Sequence, residues 1–196
     1  MKDSGKGGRK PRADALRNRD KLMVAAKTAF TEAGAEVSLE EIARRAGVGI
    51  GTLYRHFPTR EGLLEAVYRR EVEQLAVAAE RLVDELPPAE ALRQWMRLFA
   101  DYLAPKKVIA PALAAMAGGH SELFATSSKL IRGALGLLLA RGIDAEALRD
   151  DVEIEDIIQA LAGVAYNVAS PGWRERAYRL IDIVVAGLRP SAAGVG

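Results

Sequence analysis

The chain has 196 residues, 49% of them hydrophobic, and a net charge of only +2, so it can bury the core of one or two small domains. It contains no cysteine, which excludes disulfides, zinc sites with thiolate ligands and cysteine nucleophiles. No apolar run reaches the roughly 18–20 residues of a membrane span, and no apolar segment follows the basic N-terminus, so we expect neither a membrane partner nor a secretory signal.

The positive charge is concentrated in the N-terminal part of the chain. Residues 1–70 hold 15 Lys and Arg against 9 Asp and Glu, a net +6, whereas the remaining residues hold 13 against 17, a net −4. A basic segment is typical of a DNA-binding surface, although other charged surfaces vary by as much. Residues 1–13 carry five basic residues and no periodic apolar positions, which predicts a disordered arm. The arm either adds DNA contacts or only improves solubility.

Residues 38–57 have the pattern of two short helices joined by a glycine turn, after a first helix predicted over residues 16–33. Ser38 and Glu41 form a capping box that begins the second helix. Gly47 ends it, because glycine adopts the left-handed conformation at the lowest cost. Two helices with such a turn form a helix-turn-helix, whose second helix can lie in the DNA major groove.

This segment resembles the DNA-binding domain of the tetracycline-repressor (TetR) family. The resemblance rests on the Gly-Val turn followed by Thr52-Leu53-Tyr54-Arg55-His56-Phe57, and it extends into residues 22–34 and 59–64. It implies an N-terminal helix-turn-helix domain over residues 14–60. Within that domain, the four-residue spacing of Leu53 and Phe57 predicts that both are core residues. It also implies a C-terminal helical domain over residues 61–189 that binds an effector and dimerises.

Every segment after the helix-turn-helix is again helical in pattern, so the predicted fold class is all-α with about nine helices. Thr59 is the expected N-cap of a long fourth helix, which ends at Pro87-Pro88. The remaining predicted helices cover residues 89–103, 108–117, 121–140, 152–169 and 173–188. Residues 140–142 and 148–152 resemble a linker found in C-terminal domains of the family. Residues 190–196 are expected to form a disordered tail.

The family's DNA contacts carry over to eight positions of this chain. The groups expected to bind phosphate belong to Thr52, Tyr54, His56 and Arg60. Base reading is expected from Gly49, Ile50, Gly51 and Arg55. Glycine has no base-reading group, and the family often has Ser, Thr or Pro at the two glycine positions. Either the backbone approaches DNA closely there, or discrimination comes from Arg55, the arm and DNA shape.

The resemblance also implies a homodimer that pairs the last two helices as a four-helix bundle. The expected interface residues are Ile154, Ile157, Ile158, Leu161, Val164, Ala165, Ala177, Leu180, Ile181, Val184, Val185 and Leu188. The alternative is that both helices only face the core of their own subunit.

An unidentified small apolar or amphipathic effector is the second implied partner. The residues expected to line its pocket are Trp95, Met96, Phe99, Tyr102, Met116, Phe124 and Tyr166, with His120 and Asn167 as polar anchors. Ordinary core packing is the alternative for each of them.

These predictions describe a ligand-responsive transcriptional regulator that acts at the nucleoid in the cytoplasm. Family precedent favours a repressor that binds a palindromic DNA operator as a dimer, although the residues do not distinguish it from an activator. The chain has only two histidines and none of the common catalytic motifs, so we expect no enzyme, cofactor or metal. The alternative function is a helical protein-interaction module that does not bind DNA.

Overall fold

A computed structural model of the chain describes residues 9–116, 120–164 and 170–190. These residues form eight helices and no strand, which confirms the all-α prediction. The helices are α1 (Arg9–Ala33), α2 (Leu39–Ala46), α3 (Ile50–His56), α4 (Arg60–Glu85), α5 (Pro88–Ala115), α6 (Ser121–Asp144), α7 (Ile154–Val164) and α8 (Trp173–Gly187).

Helix α5 replaces two of the predicted helices and accounts for the difference from nine. The sequence predicts separate helices over residues 89–103 and 108–117 because proline disfavours a helix interior, but α5 continues through Pro105 and Pro111. Proline removes one backbone hydrogen bond and crowds the preceding turn, a cost that tertiary packing can offset. Buried Ala104, Ile109 and Leu113 provide that packing on both sides of the prolines.

Helix α1 begins at Arg9, seven residues before its predicted start, and so includes residues 9–13 of the predicted arm. Pro11 is compatible with this position, because the N–H groups in the first turn of a helix have no acceptor within the helix, so the N–H that proline lacks is not needed there. The rest of the arm, residues 1–8, lies outside the described residues, and so do residues 191–196 of the predicted tail.

The chain divides into two compact units. The first comprises the residues up to Tyr68 together with residues 108–119, and the second comprises Arg69–Lys107 and the residues from His120 onward. The largest fully buried side chains of the first unit are Leu22, Phe30, Ile42, Leu53, Leu63, Leu64, Ile109 and Leu113. Those of the second unit are Leu92, Trp95, Met96 and Leu135.

Helix α6 is, in the part of the chain that the structure describes, the one helix long and apolar enough to cross a membrane by length and composition. Its most apolar 18-residue window has a mean hydropathy of 1.3, and 39% of that window is buried in the protein. The core helix of a soluble protein meets the same criteria. Lys129 and Arg132 lie on its exposed side, and Ile131 and Leu135 on its buried side. The absence of a membrane partner stays a prediction.

Candidate nucleic-acid interface

The helix-turn-helix is held by local caps that the sequence predicts. The backbone N–H of Glu41 donates to Ser38 Oγ over 3.1 Å, which begins α2. Gly47 has φ 67° and ψ 33°, the left-handed conformation, and its N–H donates to the carbonyls of Ala43 and Arg44. The glycine C-cap and the Ser38 half of the predicted capping box are therefore confirmed. The N-cap determines where α2 begins. The glycine C-cap determines where α2 ends and in which direction the chain enters α3.

The two faces of α3 differ sharply in burial. Leu53 and Phe57 are buried, as predicted, and the guanidinium of Arg19 on α1 lies 5.3 Å from the centre of the Phe57 ring. Tyr54 keeps 46% of its surface exposed, and Arg55 is also exposed. Within the described ranges, the Arg55 side chain forms no ion pair or hydrogen bond. Its guanidinium is therefore available to an external partner.

The first turn of α3 is open on its outer side. A Cβ atom added at Gly49 or Gly51 would meet no atom within 4 Å, so these glycines do not serve internal packing. Ile50 between them is exposed, whereas Thr52 and His56 are half-buried. The exposed residues constitute what we call the outer face of α3: Gly49, Ile50, Gly51, Tyr54 and Arg55.

Arg60 has protein partners that the sequence does not reveal. Its Nη1 donates to the carbonyl oxygens of Ala35 and Val37, both at 2.7 Å, and so holds the loop between α1 and α2. A DNA phosphate is the partner that the sequence predicts for a cation at the start of α4. The structure shows two backbone carbonyl groups as partners within the protein. Phosphate binding by Arg60 stays a prediction. The N-cap at Thr59 is confirmed, since its Oγ1 accepts a hydrogen bond from the N–H of Gly62.

A charge network joins α1 and α2. The Glu41 carboxylate accepts hydrogen bonds from Arg44 at 2.8 Å and from Arg45 at 2.7 Å, and Arg45 also donates to Glu32 at 2.6 Å. Arg44 foremost, and then Arg45, lower the pKa of Glu41 to about 2. A capping box also requires the Glu41 carboxylate to accept a hydrogen bond from the backbone N–H of Ser38. Glu41 binds two guanidinium groups instead, so this half of the prediction is wrong.

Four residues of the predicted effector pocket are buried along α5. Trp95 donates from Nε1 to the carbonyl of Leu75 over 2.9 Å and stacks on Phe99 at 5.5 Å between ring centres. The Phe99 and Tyr102 rings are tilted at 5.6 Å, and Met96 is fully buried. These four side chains are buried in the second unit, which is compatible with core packing and with the lining of an enclosed pocket.

The other expected pocket residues are distributed over both units and the undescribed part of the chain. Met116 belongs to the first unit, whereas His120 and Phe124 are half-buried in the second. Tyr166 and Asn167 lie outside the described residues. The predicted pocket stays a prediction.

The expected dimer residues fall into two groups. Those buried within their own unit, where they offer no surface to a partner, are Ile157, Leu161, Ala177, Ile181, Val185 and Leu188. Those that are exposed or partly exposed are Ile154, Ile158, Val164, Leu180 and Val184, while Ala165 lies outside the described residues. Sequence reasoning missed Ile183, which is 67% exposed. Its spacing of three residues from Leu180 is the signal that would have identified it.

Polar contacts with α5 determine which side of α8 faces outward. Arg97 donates to Asp182 over 2.9 Å, and Arg174 donates to Asp101 over 2.8 Å. The hydroxyl of Tyr178 donates to the second oxygen of Asp101 at 2.9 Å. The three α8 residues in these contacts, Arg174, Tyr178 and Asp182, are spaced four residues apart, so they occupy one side of the helix.

Comparison with known proteins identifies the family. Residues 22–67 match the family model described as bacterial regulatory proteins of the tetR family, and residues 87–190 match the model for the C-terminal domain of SbtR-like transcriptional regulators. A curated helix-turn-helix-type transcriptional regulator of Staphylococcus aureus is 32% identical over 98 residues, which are 50% of this chain and 51% of the relative. The match thus spans about half the length of that relative.

Two solved structures are similar over most of the chain. A TetR transcriptional regulator from Streptomyces coelicolor has 47% identity and a TM-score of 0.81, with 89% of this chain and 99% of that chain covered. A TetR transcription regulatory protein from Mycobacterium vanbaalenii has 32% identity and a TM-score of 0.76, with 92% and 99% covered. The chain belongs to the TetR family of bacterial regulators, which are DNA-binding transcription factors and not enzymes.

Proposed function

We propose that this regulator is a repressor that binds a palindromic operator as a homodimer and is released by a small effector molecule. The observation that carries the proposal is the outer face of α3. This face presents a phenol and a guanidinium, and Gly49 and Gly51 leave open space on either side of the exposed Ile50. The protein acts at the nucleoid in the cytoplasm, because its target is DNA.

Phosphate contacts and base contacts come from different residues in this proposal. Tyr54, Thr52 and His56 donate to phosphates and position α3 in the groove. Arg55 reads a guanine, because its guanidinium is free and the neighbouring glycines have no base-reading groups. Ile50 contacts a thymine methyl group.

Selection of bound sequences from random duplex DNA tests the proposal. The selected site should be palindromic, with half-sites spaced about 34–36 Å or a multiple apart. Arg55→Ala should lower affinity for the selected site by ~1–3 kcal/mol and affect random duplex much less. Tyr54→Phe should weaken both kinds of DNA alike. Lys129→Ala is the matched control, since this exposed cation lies on α6, which carries none of the proposed DNA-binding or dimer residues. Equal losses on both DNAs with Arg55→Ala would refute base reading.

The proposed dimer pairs the outward sides of α7 and α8. Leu180 and Ile183 are 44% and 67% exposed on one side of α8, next to the partly exposed Val184. A two-fold axis through such a surface places the same residues on both subunits, as a palindromic site requires. Sedimentation equilibrium should show a dimer at micromolar concentration, and a stable monomer there would contradict the proposal.

Release by the effector is proposed to act through α4. This helix runs from Arg60, which is bonded to the α1–α2 loop, to Glu85 in the second unit. An effector that favours a different position of α4 changes the separation of the two copies of α3. A coupling of ~1–3 kcal/mol would change operator affinity about 5- to 150-fold. An operator affinity that stays constant when an effector binds would refute this step.

A further inference from the structure

A cavity of about 340 Å³ lies in the second unit, where the end of α4, the start of α5 and the last turn of α6 meet. None of its lining residues belongs to the expected effector pocket. The volume falls within the range of sites for small molecules, roughly 300–1,000 Å³. This cavity is therefore a separate place at which a small ligand fits.

One side of the cavity is apolar. Val83 and Leu86 from the end of α4, Pro88 from the start of α5 and Leu138 from α6 form its wall. All four side chains are half-buried or buried. The Pro87-Pro88 pair restricts the backbone where α4 gives way to α5. The apolar wall would therefore receive a hydrocarbon group without rearrangement of this turn.

The other side of the cavity carries one positive and one negative group. Arg141 and Asp144 both line it, and they lie three residues apart on α6, on the same side of the helix. Neither side chain has an ion pair or hydrogen bond among the residues that the structure describes, and the two do not pair with each other. Each charge is thus available to a group of opposite charge on a ligand.

The turn that carries these two charges is held in place by the loop after it. The N–H groups of Ala147 and Leu148 donate to the carbonyl of Gly142 over 2.9 and 3.1 Å. The Leu148 side chain lies directly against Gly142, where a Cβ would come within 2.6 Å of Leu148 Cγ. Arg149 extends the restraint, because its N–H donates to the carbonyl of Leu188 over 2.9 Å. A site positioned before binding loses less entropy when the ligand arrives.

We infer that this cavity binds an apolar α-amino acid or a similarly built amphipathic zwitterion. The ligand carboxylate pairs with Arg141, its ammonium group with Asp144, and its side chain packs against the apolar wall. The inference names a ligand class for the proposed effector response. The effect of this ligand on DNA binding rests on the proposed function, because the last turn of α4 forms part of the cavity wall. Binding of the ligand to the cavity does not depend on that proposal.

Calorimetric titration of the full-length protein, without DNA, tests the binding. The probes are L-phenylalanine, L-leucine and L-tryptophan. The matched controls are 3-phenylpropanoate, which lacks the ammonium group, and 2-phenylethylamine, which lacks the carboxylate. At least one amino acid should bind at millimolar concentration or below, and each control should bind roughly tenfold or more weakly, since one charge-assisted hydrogen bond is missing. No binding of any of the three amino acids at millimolar concentration would overturn the inference.

Two substitutions assign the charges to their residues. Arg141→Gln should weaken amino-acid binding roughly tenfold or more and leave 2-phenylethylamine unaffected. Asp144→Asn should weaken amino-acid binding and leave 3-phenylpropanoate unaffected. Arg179→Gln on α8 is the control for a lost surface charge. Binding that neither Arg141→Gln nor Asp144→Asn changes would place the ligand elsewhere and overturn the inference. Binding that follows the expected pattern without changing operator affinity would support the site and contradict effector release.

Discussion

The contact between Gly142 and Leu148 predicts opposite effects for two glycine substitutions on the same helix. Gly142 and Gly133 both lie within α6. At Gly142 an added Cβ would come within 2.6 Å of Leu148 Cγ and 3.2 Å of Leu148 Cβ. At Gly133 the same atom would meet nothing within 4 Å. Gly133 lies in the middle of α6 and Gly142 in its last turn, so the backbone gain from alanine is no larger at Gly142. A loss of stability at Gly142 therefore measures the packing of Leu148.

The magnitude follows from two opposing contributions. Replacing glycine by alanine inside a helix stabilises the protein by about 0.5–1 kcal/mol. Carbon atoms pack at ~3.5–4.0 Å, so the new methyl group of Gly142→Ala must displace buried Leu148 by roughly 1 Å. Overpacking of this kind costs about 1–3 kcal/mol. We therefore expect Gly142→Ala to lower the free energy of unfolding by ~1–2 kcal/mol and Gly133→Ala to raise it by up to ~1 kcal/mol.

Urea unfolding monitored by far-UV circular dichroism measures both changes. A double-mutant cycle with Leu148→Ala identifies the clashing partner, because Gly142→Ala should cost little once the larger side chain is gone. Stabilisation by both glycine substitutions would refute the reasoning. So would a cost of Gly142→Ala that is the same in the Leu148→Ala background.

Three further predictions test other contacts. Glu41→Gln should lower the thermal midpoint above pH ~4.5, and the gap to the wild type should close as pH falls towards 2, because the Glu41 pKa of about 2 lies below its ordinary value. A gap that does not change with pH would contradict this. Arg60→Met should lower the free energy of unfolding of the first unit by ~1–3 kcal/mol in urea titrations, because two carbonyl hydrogen bonds are lost. Ile183→Asp should give monomers in sedimentation equilibrium that keep the helical circular dichroism spectrum of the wild type at about 25 °C, although the thermal midpoint falls because association stabilises the folded chain; a persistent dimer would place the interface elsewhere.

The features predicted correctly from sequence depend on residues close together in the chain. The cap at Ser38, the left-handed Gly47 and the N-cap at Thr59 each involve hydrogen bonds that span at most four residues. The identity of the residue and its immediate neighbours therefore determine the outcome. The same holds for burial of Leu53 and Phe57, which are four residues apart on one side of a short helix.

The features that sequence reasoning missed depend on partners far along the chain. Arg60 binds carbonyls of Ala35 and Val37, more than twenty residues away, and no local pattern signals this pairing. Pro105 and Pro111 signal a helix end locally, but the packing of the second half of α5 outweighs them. In both cases a tertiary contact supplies the free energy that the local rule omits.

Helix α8 shows why periodicity alone could not separate a subunit core from a dimer interface. Its apolar residues cover more than half of the helix circumference, so the sequence predicts burial without saying against what. The ion pair between Asp182 and Arg97 fixes the orientation of α8 about its own axis, because it holds the polar side of α8 against α5. Val185 then points into the core, and Leu180 and Ile183 are left exposed on the opposite side. An exposed apolar side of this kind supports the proposed homodimer, in which a second copy of the chain would cover it.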